Sequence, residues 1–552
     1  MRVGEAIPRY LPRVTTTHWR CWAPAPIGQD HLATRAVCEA LYAQLLPGIT
    51  NVTDRARYYS FYPWLVWALE GRRLDDEALR KMLRRAECLL TLIGIAHGNV
   101  CGADGRYHAE RLVGRDTLGP AFEPLLRGGE LALDTYAGDE GSRYFKARWG
   151  GLEQYYRGAE EELGVLSRDT SRKVGLGVTP DRGVLLARAF AAAVDGDAFL
   201  RVLDRGHVDR RTLDGLAAFC PCSPGHAERE ALLDLFLDRP GSQPAPGGHA
   251  RSRSLALLLD LAAPGGPPVD TDGFRAAVYT GTRPGGDTWS LPDRLSETRA
   301  AWAVYQRNEL LSLATQALFW AALTDALGYP TPAHDARAWS TRFAARYAGT
   351  LPNSSQPFAT WRAAVASTLP VLNDRDNPGH ELALAARLRD RARRGARSDA
   401  DRAEVVDAAL RLLTILVIRD EHAGAYGGLA VPPDWLAAYP INLITLRSAA
   451  AQWDGRTVAE VLAWLAHDWG LATHLRVALR KLRFTGNDTF RVRSTEAGLV
   501  SAAWSETNNA VYSTPRLVQS AQILTDLGAL RPVGRAWLRT PTGDTLLERL
   551  RG

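Results

Sequence analysis

The chain has 552 residues, 46% of them hydrophobic and 23% charged, which excludes a largely disordered protein and provides for three or four compact units. A formal net charge of +6 is small for this length and does not by itself name a partner. Six scattered cysteines (Cys21, Cys38, Cys88, Cys101, Cys220, Cys222) exclude a disulfide framework. The opening MRVGEAIPRYLPRV carries charges and prolines where a signal peptide needs an apolar run, so a reducing cytoplasm is the expected home. No uninterrupted apolar stretch reaches about 18 residues, and LLTILVI at 412–418 has the length of a core helix, so a soluble protein is expected.

Helical periodicity dominates up to residue 482. DHLATRAVCEALYAQLL (30–46) gathers Leu32, Ala36, Leu41 and Leu45 near one face, with Asp30 as N-cap. In NVTDRARYYSFYPWLVWAL (51–69), Tyr58, Phe61, Tyr62 and Leu65 fall at i, i+3, i+4 and i+7, a core stripe if Thr53 caps the helix and Pro63 kinks it. The alternative for this aromatic stretch is base stacking beside Arg55 and Arg57. Residues 78–98 form another helix that stops at Gly98.

CPCSPGHAER (220–229) places Cys220, Cys222 and His226 in one short loop, and His207 could add a fourth ligand. The C-x-C spacing lacks the paired C-x-x-C knuckle, so a turn opening a helix is the expectation and no metal or other cofactor is assigned. HAER at 108–111 brings a histidine and an acid together, but neither order nor spacing matches a zinc deaminase. DRPGSQPAPGGHARSR (238–253) has linker composition, and AVPPDWLAAYPIN (430–442) marks a second break. The domains expected are 1–239 and 253–440, both helical, and a basic 441–552.

Catalytic signatures are missing. Only four lysines stand against 63 arginines; none follows glycine, which excludes a P-loop, and none completes Asp/Glu-x-Lys. HELAL at 380–384 has leucine where a zincin needs its second histidine. RDNPGHE (375–381) and RDEH (419–422) combine acids with histidine without reaching motif grade. ARLRDRARRGAR (386–397) is read as a solvated helix tail.

The last 102 residues hold 13 Arg and Lys against 9 Asp and Glu. HLRVALRKLRFTGNDTFRVR (474–493) ends a helix with Arg476, Arg480, Lys481 and Arg483. A hairpin turning at Gly486 to Asp488 is expected to set Arg491 and Arg493 on its solvent side. Further on, STPRLVQSAQILTDLGALRPVGRAWLRTPTGDTLLERL reads as a helix closed by Gly528, two short strands around Gly534, and a final helix. Over these roughly 40 residues the chain resembles the winged-helix family. The resemblance implies a recognition helix carrying Arg516, Gln519 and Gln522, and a wing with Arg531, Arg535 and Arg539 beside it. Asp526 makes that helix less basic than a strong DNA reader, and winged helices also dock proteins. The first 70 or so residues look like uncharacterised bacterial proteins encoded among phage-defence genes, which names no activity.

The fold class expected is mainly α, a multidomain helical body with a C-terminal winged-helix-like module. The function expected is a non-enzymatic nucleic-acid-binding or scaffold subunit of a bacterial multi-protein system, with anti-phage defence as the implied setting. Its partners would be DNA, duplex or single-stranded, and other protein subunits, with no membrane. The alternatives are a metal-dependent nuclease whose site lies outside known motifs, and an adaptor whose winged helix docks a partner.

Overall fold

The computed structural model describes residues 30–72, 74–100, 108, 110–138, 147–169, 175–222, 224–239, 246–395, 398–420, 439–486, 488–501, 510–513 and 515–551. Helices make up most of it, and every strand belongs to a two-stranded antiparallel sheet. The chain forms two compact units, each assembled from two separated stretches: Met1–Leu41 with Ala300–Ser513, and Tyr42–Arg299 with Thr514–Gly552. This interleaving differs from three consecutive domains. Proline and glycine mark loops, whereas membership of a unit is decided by which apolar faces meet; Gly248 to Arg253, linker-like in composition, open the helix Gly248–Leu261.

The unit of Tyr42–Arg299 and Thr514–Gly552 is built around the helix Tyr58–Glu70. Its stripe of Tyr58, Phe61, Tyr62 and Leu65 is fully buried, as the helical spacing requires. Tyr58 stacks on Tyr62 at 5.5 Å between centroids, and Trp64 lies 5.1 Å from Phe190 of the helix Arg182–Ala191. The helix begins at Tyr58 and not near Thr53, whose hydroxyl accepts instead from the Thr50 amide at 2.8 Å. Pro63 lies inside it, and the helix runs on to Glu70.

Arg55 and Arg57 are buried too, each against one carboxylate. Arg55 Nε donates to Asp526 at 2.9 Å, and Arg57 reaches both oxygens of Glu228 at 3.0 and 2.9 Å. Buried charge persists where it is paired and hydrogen-bonded, so the two arginines beside the aromatic run are core groups and not a stacking surface.

The C-terminal stretch of this unit has the order read from sequence: helix Leu517–Asp526, hairpin Leu530–Val533 with Ala536–Arg539, helix Pro541–Arg551. Gly534, at φ +62, sits in the two-residue turn, where a side chain would be strained. Val269 bridges to Trp537, which adds a backbone contact along the hairpin.

In the unit of Met1–Leu41 and Ala300–Ser513, Asp30 accepts from the amides of Thr34, Arg35 and Ala36, as an N-terminal cap should. The helix Asp293–Leu327 is long and apolar enough over an 18-residue window to cross a membrane, a length the simple apolar-run count missed; 78% of that window is buried. Two interior charged groups of this helix are paired, Arg307 with Asp420 and Glu309 with the Ser513 amide at 2.9 Å. Val458–Trp464 continues through a π-helical stretch, Leu465–Ala472, into Thr473–Thr485. Gly486 at φ +70 then caps that helix, its amide bonding to Leu482. The hairpin expected to turn there lies further on, Val492–Thr495 against Gly498–Ser501, because the left-handed glycine ends a helix instead of opening a hairpin.

Candidate functional site

The basic residues singled out in the sequence fall in both units. On the helix Thr473–Thr485, Arg476 and Arg483 are exposed and Arg480 is half-exposed. No acidic residue interrupts this helix. Among the described residues Arg476 bonds Ala472 O at 3.3 Å and Thr473 Oγ1 at 3.1 Å, at the start of its own helix. Arg480 lies over the Tyr439 ring at 5.2 Å, and Arg483 beside Phe484 at 5.6 Å. Phe484 is 75% exposed and Leu479 60%, so the cationic row is interleaved with bare apolar side chains. Periodicity could have flagged both, since neither fits the buried stripe.

Lys481 turns inward. Its Nζ donates to Asp30 O at 2.6 Å, and burial pulls its pKa down. Arg491, expected on a solvent face, is 3% exposed; its amide donates to His474 Nε2 at 2.8 Å. The residue precedes the true strand, so strand alternation does not govern where it points. Arg493 pairs with Asp488.

In the other unit the helix that resembles a recognition helix contributes to the core. Gln519 is 7% exposed and donates to Asn51 O at 3.0 Å, which corrects its expected place on a DNA-facing surface. Leu517, Ala521 and Leu524 set the buried face, and Gln519 lies near it. Gln522 donates to Asp526 at 2.9 Å, and Arg516 lies over the Tyr42 ring at 5.0 Å with Nη1 on Leu46 O at 3.1 Å. Arg539 pairs with Asp544 at 2.6 Å and donates to Leu259 O. Arg531 and Arg535 remain exposed at the hairpin.

A second cluster lies in this same unit. Cys220 and Cys222 meet His97, on the last turn of Asp76–Val100, and His108; one ligand atom from each lies within 4.8 Å of all the others. Cys220 and His108 are buried, while His97 and Cys222 are half-buried. His226 is exposed at the first turn of its helix, and His207 is exposed with Nδ1 near Arg205 O, so neither belongs to the cluster. The nearby HAER histidine carried half of the missing signal; His97 carried none, because a histidine near a helix end is common.

Three of the acid and histidine groups considered for a nuclease have structural partners. Glu381 pairs with Arg419, His380 Nδ1 accepts from the Leu382 amide at 3.1 Å, and Asp420 holds Arg307 and Arg447. Residues 421 and 422 of RDEH lie outside the described residues. In the 386–397 tract, Arg391 pairs with Asp401 and Glu404, and Arg394 with Asp390. Comparison of the chain with protein-family models, with curated proteins and with solved structures finds no match.

Proposed function

We propose that the chain is a non-catalytic nucleic-acid-binding or scaffold protein that grips phosphates through the helix Thr473–Thr485. The observation that carries this reading is the row of Arg476, Arg480 and Arg483 along one acid-free helix. Seven residues of helix span about 10 Å, within the reach of two or three phosphates. Arg476 and Arg483 have no carboxylate partner among the described residues, so their charge is available to an incoming anion. Phe484 adds an exposed ring beside Arg483, and an aromatic face next to guanidinium groups suits an unpaired base. Single-stranded nucleic acid is therefore the preferred partner class. Arg531 and Arg535, exposed on the C-terminal hairpin of the other unit, would make a smaller basic spot there. In this reading the winged-helix-like segment contributes its wing, while its first helix serves the core.

A second reading, an adaptor that docks another protein, is favoured by the exposed Leu479 and Phe484. Anisotropy titration of the full chain with single-stranded and duplex oligonucleotides separates the two. Phe484→Ala is expected to weaken single-strand binding about fivefold or more, the loss of one base–aromatic stack, and duplex binding less. Failure of the wild-type chain to bind either oligonucleotide at low salt would remove the nucleic-acid reading and leave the adaptor.

A further inference from the structure

We propose that His97, His108, Cys220 and Cys222 form a structural zinc site, independent of the nucleic-acid reading. Tetrahedral zinc holds thiolate sulfur at about 2.3 Å and imidazole nitrogen at about 2.0 Å, which sets sulfur and nitrogen about 3.5 Å apart along an edge. The two sulfur–nitrogen distances here are 3.5 Å for Cys220 Sγ to His108 Nδ1 and 3.4 Å for Cys222 Sγ to His97 Nδ1. Two of the tetrahedron's six edges are thus present at coordination length. The two imidazoles approach edge to face at 4.9 Å between centroids, and all four donor atoms converge within 4.8 Å. A small inward movement of side chains closes the set.

The donor chemistry selects the ion. Two soft sulfurs with two imidazoles in a tetrahedral array favour Zn2+ over the oxygen-seeking Mg2+ and Ca2+. With four protein ligands no position stays open for water, so the site serves folding and not hydrolysis. On binding, each thiol releases its proton to solvent. Two thiolates, two neutral imidazoles and one dication sum to no net charge, which makes burial of the centre inexpensive compared with an isolated ion.

The loop that supplies both sulfurs is held in place before any ion arrives. The buried guanidinium of Arg57 donates to Ala218 O at 2.5 Å and to Cys220 O at 2.6 Å, and Glu228 clamps its other side. Ser60 Oγ donates to the same Glu228 at 2.6 Å. The arginine beside the aromatic run thereby ties the central helix to the cysteine loop. The histidine pair and the cysteine pair are more than a hundred residues apart in sequence, so the ion would add folding free energy to the whole unit.

The test uses the full chain purified without metal supplements. Elemental analysis is expected to give close to one zinc per chain. After chelation, titration with Co2+ is expected to produce the intense visible bands of a tetrahedral ion and a near-ultraviolet thiolate charge-transfer band, saturating at one equivalent. Cys222→Ser and His97→Ala should each lose the ion, while His226→Ala and His207→Ala retain it. Since a ligand variant can fail to fold, the metal-free wild-type chain provides the independent measure: its melting temperature should fall and recover on adding Zn2+. Substoichiometric metal together with a pale, octahedral Co2+ spectrum would overturn the proposal and leave the four groups as two thiol–imidazole hydrogen-bonded pairs.

Discussion

At the residue scale, His474 illustrates how burial turns a titratable group into a pH liability. It is fully buried, accepts the Arg491 amide, and has its pKa pulled down to about 3, first by burial and then by nearby cations; His31 beside it falls to about 2 for the same leading reason. Both stay neutral in the folded chain at pH values where the unfolded chain takes up protons. Stability should therefore be full above pH 6.5 and drain as pH falls toward 3, at up to about 1.4 kcal/mol per histidine per pH unit. Glu87, pushed up to about 7 by burial, acts in the opposite sense, so a variant comparison isolates the histidine. In urea unfolding at pH 7.5 and pH 5.5, His474→Asn should lose less stability between the two pH values than the wild type does. Equal losses would show that His474 does not carry the linkage.

At the scale of elements, the sequence spoke clearly where a period was long and unbroken. Tyr58, Phe61, Tyr62 and Leu65 announced their helix because four apolar side chains at one angular position have nowhere to go but a core. The ends were less legible: Thr53 is a good capping residue in isolation, but its hydroxyl is taken by the Thr50 turn. Gly486 could cap a helix or open a hairpin, and only the helix length upstream decided for the cap. The buried arginines were illegible, since their partners lie 171 and 471 residues away. Their removal has a definite expected cost. Glu228→Ala strands Arg57 inside the unit and should destabilise the chain by about 3–5 kcal/mol. Glu230→Ala, two residues along and paired with Arg239 at a half-exposed surface, should cost about 1 kcal/mol or less. Thermal or urea denaturation checks the contrast; equal effects would mean that the Arg57 pair contributes no more than a surface pair.

At the scale of the whole molecule, the mainly helical class could be read from the sequence, whereas the interleaving of the two units could not. Linker-like composition at 238–253 and 430–442 does not say which stretch of chain completes which core. The same limit applied to the sites. Cys220 and Cys222 were visible as neighbours, but the histidines that meet them come from 112 and 125 residues earlier. The C-terminal cationic residues looked like one set because they are close in sequence. Folding gives them different local contexts: Lys481 and Arg491 go inward, Arg493 and Arg539 are paired, Arg480 lies half-exposed over the Tyr439 ring, and Arg476 and Arg483 are exposed; the neutral Gln519 also goes inward.

That surviving row makes the functional account quantitative. Each phosphate neutralised contributes about 0.7 to 0.9 to the slope of log affinity against log salt, the lower figure applying to single strands. The decisive measurement is that slope for single-stranded DNA, comparing the wild-type chain with Arg476→Ala/Arg480→Ala/Arg483→Ala. The slope is expected to be shallower by about 2 in the triple variant, with affinities converging at high salt. Superimposable salt dependences for the two proteins would contradict it.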